Sequence, residues 1–403
     1  MQVLKTTAII CEYNPLHKGH EYAIRSAKKN SDDAVVAIMS SDFVQRGEAA
    51  VLPAVYRARA ALAAGCDLVL ELPVPYSFGS AEYFARAGVY IADAVGICDA
   101  LLFGSEAGDI NVLVGAYDRL CSEEFESKTR EIEKNDRTLG HMQARFEAAK
   151  RLYGEDFAEL ISSSNNILAL EYIKAVKSID STMKLCTVKR EGSAYNDRHG
   201  NDGYVSATFL RDRIFADDDI SAYVPDKCIE IYNEAKRSGM CGASLERADT
   251  AILSFFRMTD ASVLSGFAEV SDGLEYRLCR AAGEASDLEE FFELAATKKY
   301  TNARIRRAVL SCMLGITECD LRATPAYVRA IAANEKGLEL LKQAKKCSKL
   351  PVITNVSGFD MPGGAGEWGR GLAVRADALY SLMLPTRLPS GELFKQGIYI
   401  DKK

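Results

Sequence analysis

Short runs of consecutive apolar residues alternate with helix-like patterns along the first half of this chain, and few folds accommodate that order. Most of these runs lack the apolar–polar alternation of a half-exposed strand, so they predict strands buried on both faces. Strands that alternate with helices form βαβ units, which build a parallel sheet with right-handed crossovers. We therefore predict an α/β fold with a Rossmann-like parallel sheet, its first strand central. The apolar runs are Thr7–Ile10, Ala34–Met39, Cys66–Leu72, Ala100–Phe103 and Lys184–Val188, and the helix-like segments between them include Glu21–Lys29, Tyr56–Ala64 and Ala81–Ala94.

The length of 403 residues has room for two domains. We assign residues 1–218 to the α/β domain and interpret the charged, helix-like residues 109–160 as an insertion within it. The acidic, proline-containing residues 216–226 are typical of a linker. From there the pattern changes to helices, so residues 219–403 are predicted to form a mainly helical second domain, with one extended stretch near residues 350–356.

Composition excludes several classes of protein. A net charge of −6 argues against a uniformly basic nucleic-acid binder, although a local basic patch remains possible. The 11 cysteines are odd in number and include no CxxC pair, which disfavours a disulfide framework and a zinc knuckle. No apolar stretch approaches the ~18 residues of a membrane span, and no signal peptide is evident. We expect a cytoplasmic protein with no membrane partner and no protein-bound metal site.

The stretch Ile9–His20, IICEYNPLHKGH, carries the clearest chemical signal. A strand ends near Cys11, an Asn-Pro turn follows, and HKGH opens a helix. The N-terminus of a helix attracts anions through its free N–H groups and dipole. Two histidines on that first turn could both donate to phosphate oxygens and stabilise the charge that develops on them. His17 and His20 are therefore the predicted catalytic residues.

A second phosphate-binding element is predicted at SATFLR, residues 206–211. Ser206 and Thr208 can cap a helix N-terminus, and Arg211 follows about one turn later, within reach of β- and γ-phosphates. Ordinary capping beside a surface arginine is the alternative interpretation. The glycine pattern of residues 364–369 matches a dinucleotide-binding motif literally, but it lies in a Gly-rich stretch without the required strand and helix, so we predict a loop.

A basic run, KKYTNARIRR, spans residues 298–307 without an acidic residue. If the run is helical, Tyr300, Arg304 and Arg307 share one face, and such a stripe suits a phosphate backbone with Tyr300 available to stack on a base. A solvated helix face is the alternative. We predict RNA contacts here, in a different domain from the nucleotide site. The predicted RNA-binding residues are Lys298, Lys299, Arg304, Arg306 and Arg307.

Together these segments resemble the tRNA(Met) cytidine acetate ligase family, a branch of the HxGH nucleotidyltransferases with a HUP-type fold. The matching stretches run in the family's order over most of the chain. They are NPLHKGH (14–20), FVQRGEAA (43–50), DLVLELPVPYSFGSAEYFARAG (67–88), FGSE (103–106), NNILALEYIKA (165–175), KREGSAYND (189–197), SATFLRD (206–212) and YTNARIRRAVL (300–310).

The resemblance implies a ligase that activates acetate with ATP to acetyl-adenylate and then acetylates N4 of the wobble cytidine of elongator tRNA(Met). It also implies that Gly104, Asn165 and Arg190 complete the ATP site. Mg²⁺ is expected because a polyphosphate leaving group needs neutralising. The first ATP-binding segment comprises Thr7, Ala8, Ile9, Ile10, Cys11, Glu12, Tyr13, Asn14, Pro15, Leu16, His17, Lys18, Gly19 and His20.

Two other functions remain open on the residues alone. A small-molecule adenylyltransferase would use the same HxGH turn, but it needs little beyond one Rossmann-like domain, whereas this chain continues for a further domain's length. A non-catalytic, nucleotide-dependent RNA-binding protein is the other alternative, and the intact HxGH residues argue against it.

Overall fold

The computed structural model describes residues 5–28, 30–136, 139–190, 205–297, 299–356 and 363–402. Within these ranges a central sheet has the strand order β10-β8-β5-β2-β1-β6-β7, and β9 pairs with β8. A separate hairpin joins β3 to β4. The strands are β1 (Thr6–Cys11), β2 (Ala34–Ser40), β3 (Phe43–Val44), β4 (Glu48–Ala49), β5 (Leu68–Leu72), β6 (Ala100–Ser105), β7 (Lys184–Lys189), β8 (Val328–Ala333), β9 (Val352–Ile353) and β10 (Tyr399–Ile400).

All five predicted strands are confirmed, and they pair in parallel with β1 at the centre of the five. β1, β2 and β5 are buried along their whole length, as their continuous apolar sequence requires. The Rossmann-like fold class is therefore confirmed. The carboxyl ends of these strands meet at one edge of the sheet, which is where open α/β sheets bind ligands.

Helices flank the sheet on both faces and form most of the remaining chain. They are α1 (Lys18–Ala27), α2 (Ala54–Ala63), α3 (Ala81–Ala94), α4 (Ile110–Leu120), α5 (Glu123–Asn135), α6 (His141–Tyr153), α7 (Glu155–Ser162), α8 (Ser164–Ser178), α9 (Ala207–Phe215), α10 (Asp226–Arg237), α11 (Asp249–Met258), α12 (Ala261–Leu264), α13 (Leu274–Glu284), α14 (Leu288–Ala295), α15 (Asn302–Leu314), α16 (Glu318–Arg322), α17 (Glu335–Cys347) and α18 (Gly364–Met383). In the described ranges no helix is long and apolar enough to cross a membrane.

The sheet does not belong to residues 1–218 alone, which corrects that expectation. β8 pairs antiparallel with β5 and β10 pairs with β8, so the C-terminal part of the chain extends the sheet. The sequence of β8, VRAIAA, did not indicate a strand, because alanine has a low β propensity. α10 likewise packs against the α/β half, where its Cys228 and Tyr232 join the core under β1 and β2.

Two of the other cores in the described residues are built mainly from helices. The helices α4–α7, which form the predicted helical insertion, enclose a small core around Phe125 and Ala148. The helices α11–α15 and α18 enclose a larger one that includes Phe256, Phe291 and Tyr380. This helical lobe contacts the α/β half directly, because Phe43 of the β3–β4 hairpin is buried in its core.

One local prediction for the C-terminal half was wrong, and a second holds only in part. Residues 364–369 form the first turns of α18 rather than a loop, since the helix buries Leu372, Leu379 and Tyr380 in the helical lobe. The basic run becomes helical only at Asn302, because the Thr301 side chain caps α15 by accepting from the Arg304 N–H. Tyr300 therefore lies outside the helix.

Candidate active site

A cavity of about 380 Å³ opens at the carboxyl ends of β1, β6 and β7. It collects most of the predicted ATP-binding residues from five separate segments of the chain. Those that line it are Ile9, Ile10, Cys11, Glu12, Tyr13, Asn14, His17, Gly19, His20, Gly104, Asn165, Arg190, Ser206, Thr208 and Arg211.

The other five predicted residues do not line the cavity. Thr7 and Ala8 are buried inside β1, and Pro15 and Leu16 are buried in the turn that follows it. Lys18 points away, because its Nζ donates to the carbonyl of Ala222 at 2.7 Å.

The HKGH turn fixes the tautomers of both histidines. His17 caps α1: its Nδ1 accepts a hydrogen bond from the Gly19 N–H at 3.1 Å. His20 Nδ1 accepts in turn from the His17 N–H at 3.3 Å. Because both Nδ1 atoms are acceptors, the ring proton of each neutral imidazole lies on Nε2. The two rings stack with centroids 3.8 Å apart, so both donors serve one region of the cavity.

The histidine donors are neutral at physiological pH. Burial, followed by the nearby charge of Arg190, lowers the pKa of His17 to about 3. Burial, the neighbouring His17 and Arg190 lower the pKa of His20 as well. The Nε2 of His17 is buried and has no hydrogen-bond partner among the described residues. A buried donor without a partner costs free energy, so an acceptor that enters the cavity gains an unusually favourable contact.

The turn that carries the histidines is held through its backbone carbonyls. Arg57, fully buried in α2, donates from Nη1 to the Glu12 carbonyl at 2.6 Å. The Tyr232 hydroxyl of α10 donates to the Leu16 carbonyl at 3.0 Å. Tyr13 has a φ of +49° in the same turn, a conformation that a bulky residue rarely adopts. Sequence reasoning missed Arg57 and Tyr232, because neither belongs to a motif.

Arg211 faces the cavity from the first turns of α9. Ser206 caps this helix by accepting from the Phe209 N–H at 3.1 Å, as predicted. The guanidinium of Arg211 donates to the Asn14 carbonyl at 3.2 Å and to Thr208 Oγ1 at 3.1 Å. The bond to Asn14 ties this predicted phosphate-binding element to the HKGH turn.

A polar network forms another part of the cavity wall. Arg190 Nη1 donates to Asn165 Oδ1 at 2.6 Å, and Asn165 Nδ2 donates to Glu106 Oε1 at 2.6 Å. Glu106 also caps α8 by accepting from the Asn166 N–H at 2.8 Å. A Cβ on Gly104 would lie 3.1 Å from Arg190 Cγ, so a side chain there would displace the arginine. The three residues implied by the family resemblance therefore meet in one place.

The β3–β4 hairpin supplies cavity residues that we did not predict. Gln45, Arg46 and Glu48 line the cavity, and the Gln45 N–H donates to Glu12 Oε1 at 2.9 Å. Burial raises the pKa of Glu12, and that hydrogen bond opposes the rise. The signal was present in the sequence, since FVQRGEAA is one of the stretches that match the family.

An apolar wall completes the cavity beside the polar groups. It is formed by Phe84, Phe103, Leu168 and Tyr172 from α3, β6 and α8. Among the residues that the structure describes, no group of three or more histidines, cysteines or carboxylates could hold a metal ion. A metal in this cavity would therefore depend on phosphate oxygens for much of its coordination.

The predicted RNA-binding residues lie outside the cavity, and their charges are largely compensated. Arg307 donates to Glu269 at 2.7 Å, Arg304 donates to Ser271 at 2.7 Å, and Arg306 donates to Glu48 at 2.8 Å. Lys299 is exposed, whereas Lys298 lies outside the described residues.

Two expectations for the basic run are corrected by these contacts. Tyr300 is 7% exposed and its hydroxyl donates to the Asp272 carbonyl, so its ring is not available for stacking on a base. The run is not separate from the predicted nucleotide site, because Glu48, the partner of Arg306, lines the cavity.

Sheet, cavity and HKGH turn together define a nucleotidyltransferase, and the model of the HIGH Nucleotidyl Transferase family matches residues 4–392. Within that class the chain belongs to the tRNA(Met) cytidine acetate ligase family. The protein of that name from Acetivibrio thermocellus is 36% identical over 370 residues, which cover 88% of this chain and 89% of the relative. The one from Listeria monocytogenes is 35% identical over 361 residues, which cover 88% and 90%.

Solved structures agree with this assignment. The crystal structure of Thermotoga maritima TmcAL bound with alpha-thio ATP has a TM-score of 0.88 and 29% identity, covering 98% of this chain and 100% of that one. The apo form of the same protein gives a TM-score of 0.91 with the same identity and coverage.

Proposed function

We propose that this protein activates acetate with ATP as acetyl-adenylate and transfers the acetyl group to N4 of the wobble cytidine of elongator tRNA(Met). The observation that carries the proposal is the pair of neutral Nε2–H donors of His17 and His20, which face one cavity at the carboxyl end of β1. Membership of the tRNA(Met) cytidine acetate ligase family supports the choice of substrates.

In the first step a carboxylate oxygen of acetate attacks the α-phosphorus of ATP. A bond forms between that oxygen and phosphorus, the bond to the β-phosphate bridging oxygen breaks, and pyrophosphate leaves. The step transfers no proton, so it requires no protein base. Negative charge builds on the α-phosphate oxygens, and the two histidine donors are preorganised to stabilise it. Arg211 is the proposed contact for the departing phosphates, and its position in the cavity lining supports this role.

The methyl group of acetate requires an apolar pocket beside the α-phosphate. Phe84, Phe103 and Tyr172 offer such a wall, close to the strand that leads into the HKGH turn. Mg²⁺ would neutralise the pyrophosphate leaving group, with phosphate oxygens as its main ligands.

In the second step the N4 amine of cytidine attacks the acetyl carbonyl carbon. AMP leaves with the electron pair of the broken carbon–oxygen bond, and the amine releases one proton to solvent. The wobble base lies in a single-stranded loop, so it can be inserted without breaking a duplex. The basic residues Lys299, Arg304, Arg306 and Arg307 are the proposed phosphate contacts, with Lys298 as a fifth.

The decisive experiment measures pyrophosphate release from ATP by the purified protein, with and without acetate. We expect release to depend on acetate, and we expect tRNA from a strain that lacks this protein to lose N4-acetylcytidine. Release that depends on a phosphorylated alcohol or a nucleotide would instead identify a small-molecule adenylyltransferase. Nucleotide binding without turnover of any acid would identify a non-catalytic RNA-binding protein.

A further inference from the structure

Glu48 lies between two arginines that serve different parts of the molecule. Its Oε1 accepts from Arg306 Nη1 of α15 at 2.8 Å, and its Oε2 is 3.6 Å from Arg211 Nη2 of α9. Arg211 and Glu48 line the nucleotide cavity, whereas Arg306 does not. One carboxylate thus links an arginine of the basic run to the arginine aimed at the departing phosphates.

The backbone around Glu48 is fixed on both sides. Toward the cavity, the Gln45 N–H is bonded to Glu12. Toward the helical lobe, Gly47 adopts a φ of +72°, and a Cβ there would lie 2.5 Å from the Arg307 backbone nitrogen. A hairpin backbone held this closely against α15 keeps Glu48 beside both arginines, so its charge acts on the cavity unless a neighbouring cation compensates it.

We propose that Glu48 is a positioning residue whose charge is set by Arg306 and felt at the phosphate end of the nucleotide site through Arg211. With Arg306 bound, the charge of the Glu48 carboxylate is compensated, so Glu48 holds Arg211 only loosely, at 3.6 Å, and Arg211 can bind phosphate. When Arg306 is removed, or engaged by a phosphate of RNA, Glu48 competes with the nucleotide for Arg211 and repels its phosphates. RNA at α15 and polyphosphate in the cavity are then antagonists, which favours pyrophosphate departure as RNA arrives.

This inference rests on the proposed nucleotide site, and a double-mutant cycle on ATP affinity tests it. We expect Arg306→Ala to weaken ATP binding roughly 3- to 10-fold, the scale of coupling between contacting charged residues. In a Glu48→Gln background the same replacement should change ATP affinity little, because the charge that Arg306 neutralises is gone. Arg306→Lys should preserve the affinity of the parent.

AMP is the matched ligand control, because it lacks the phosphates that Arg211 is proposed to hold. Its affinity should stay constant across the whole cycle. Arg280→Ala is the matched protein control: Arg280 also pairs with a carboxylate of the helical lobe, Glu284 at 2.9 Å, but that pair is exposed and outside the cavity. Arg280→Ala should leave both affinities unchanged.

A tRNA(Met) transcript tests the RNA arm directly. It should weaken ATP binding to the parent and have no such effect on Glu48→Gln. Equal effects of Arg306→Ala with and without the Glu48 carboxylate, or equal losses for ATP and AMP, would overturn the inference. A parent that binds no ATP would instead contradict the proposed function itself, so the two failures are distinguishable.

Discussion

The HKGH turn and the basic helix α15 both concentrate nitrogen-bearing side chains, and the fold treats them in opposite ways. At the turn, both Nδ1 atoms are used within the backbone cap, and the buried Nε2 of His17 has no partner in the described part of the chain. At α15, Arg304, Arg306 and Arg307 already hold polar or acidic groups of their own chain.

This difference teaches how far a local motif can be interpreted. The donor geometry of HKGH is created by four consecutive residues at a helix start, so the sequence alone contains it. The availability of the arginines depends on Glu48 and Glu269, which lie far away in the sequence. A motif built by local backbone geometry is therefore a safer guide to function than a run of like charges.

The largest expected effect is the loss of catalytic rate when a histidine donor of the HKGH turn is removed. His17→Ala or His20→Ala should each lower kcat for acetate-dependent adenylate formation roughly 100- to 1000-fold, the usual cost of removing one preorganised donor. Affinity for ATP should fall much less, because the charge that the donors stabilise develops in the transition state. Single-turnover kinetics and ATP binding measure the two quantities separately.

His141→Ala is the matched control for this prediction, since His141 is exposed and pairs with Glu133 outside the cavity. It should leave both quantities at the level of the parent. Equal losses of kcat and of ATP affinity in the His17 and His20 variants would mean that the histidines only bind the nucleotide.

Charge reversal on α15 tests the other side of the comparison. Replacing Arg304, Arg306 and Arg307 with Glu should weaken tRNA binding roughly 10- to 100-fold and lower its salt dependence by about one unit per lost phosphate contact. Reversing Lys342, Lys345 and Lys346 on α17 removes the same number of charges elsewhere and should have little effect. If the α15 reversal variant bound tRNA as tightly as the parent, this helix would be only a solvated face that does not contact RNA.

The low pKa of the buried His17 should make the stability of the fold depend on pH. The pKa of His17 is lowered to about 3 by burial and by Arg190, so between that value and its unfolded value of about 6.5 only the unfolded chain binds the proton. The free energy of unfolding should therefore fall as pH falls below about 6.5, by at most about 1.4 kcal/mol per pH unit for this residue. Urea unfolding from pH 8 to pH 5 should show a shallower slope in His17→Gln, and identical slopes would contradict the prediction.

The smallest expected effect tests whether the acidic partners of the α15 arginines limit tRNA binding. Glu269→Gln should tighten tRNA binding about two- to threefold, because Arg307 loses a charged partner that each RNA phosphate must otherwise displace. Glu284→Gln, which frees only the exposed Arg280, is the control. Unchanged tRNA affinity in Glu269→Gln would show that the arginine–carboxylate contacts do not limit RNA binding. A melting curve should accompany each measurement.

Sequence patterns predicted the five parallel strands and the HKGH turn because both depend on short-range order. Continuous apolar runs such as AVVAIM require burial on both faces, and a capped helix start requires only its own residues. β8 was missed because an alanine-rich segment becomes a strand only when β5 offers it an edge. Arg57 and Tyr232 were missed for a similar reason, since their roles exist only where the turn brings its carbonyls to them.

The pairing of β5 with β8 means that the sheet cannot be completed until late in the synthesis of the chain. More than 250 residues separate the end of β5 at Leu72 from the start of β8 at Val328. At about 5–20 residues per second, a ribosome needs roughly a quarter of a minute to most of a minute to deliver the second strand. During that interval the nascent chain presents an apolar strand edge of the kind that promotes aggregation, so this protein should depend on chaperones while it is being made.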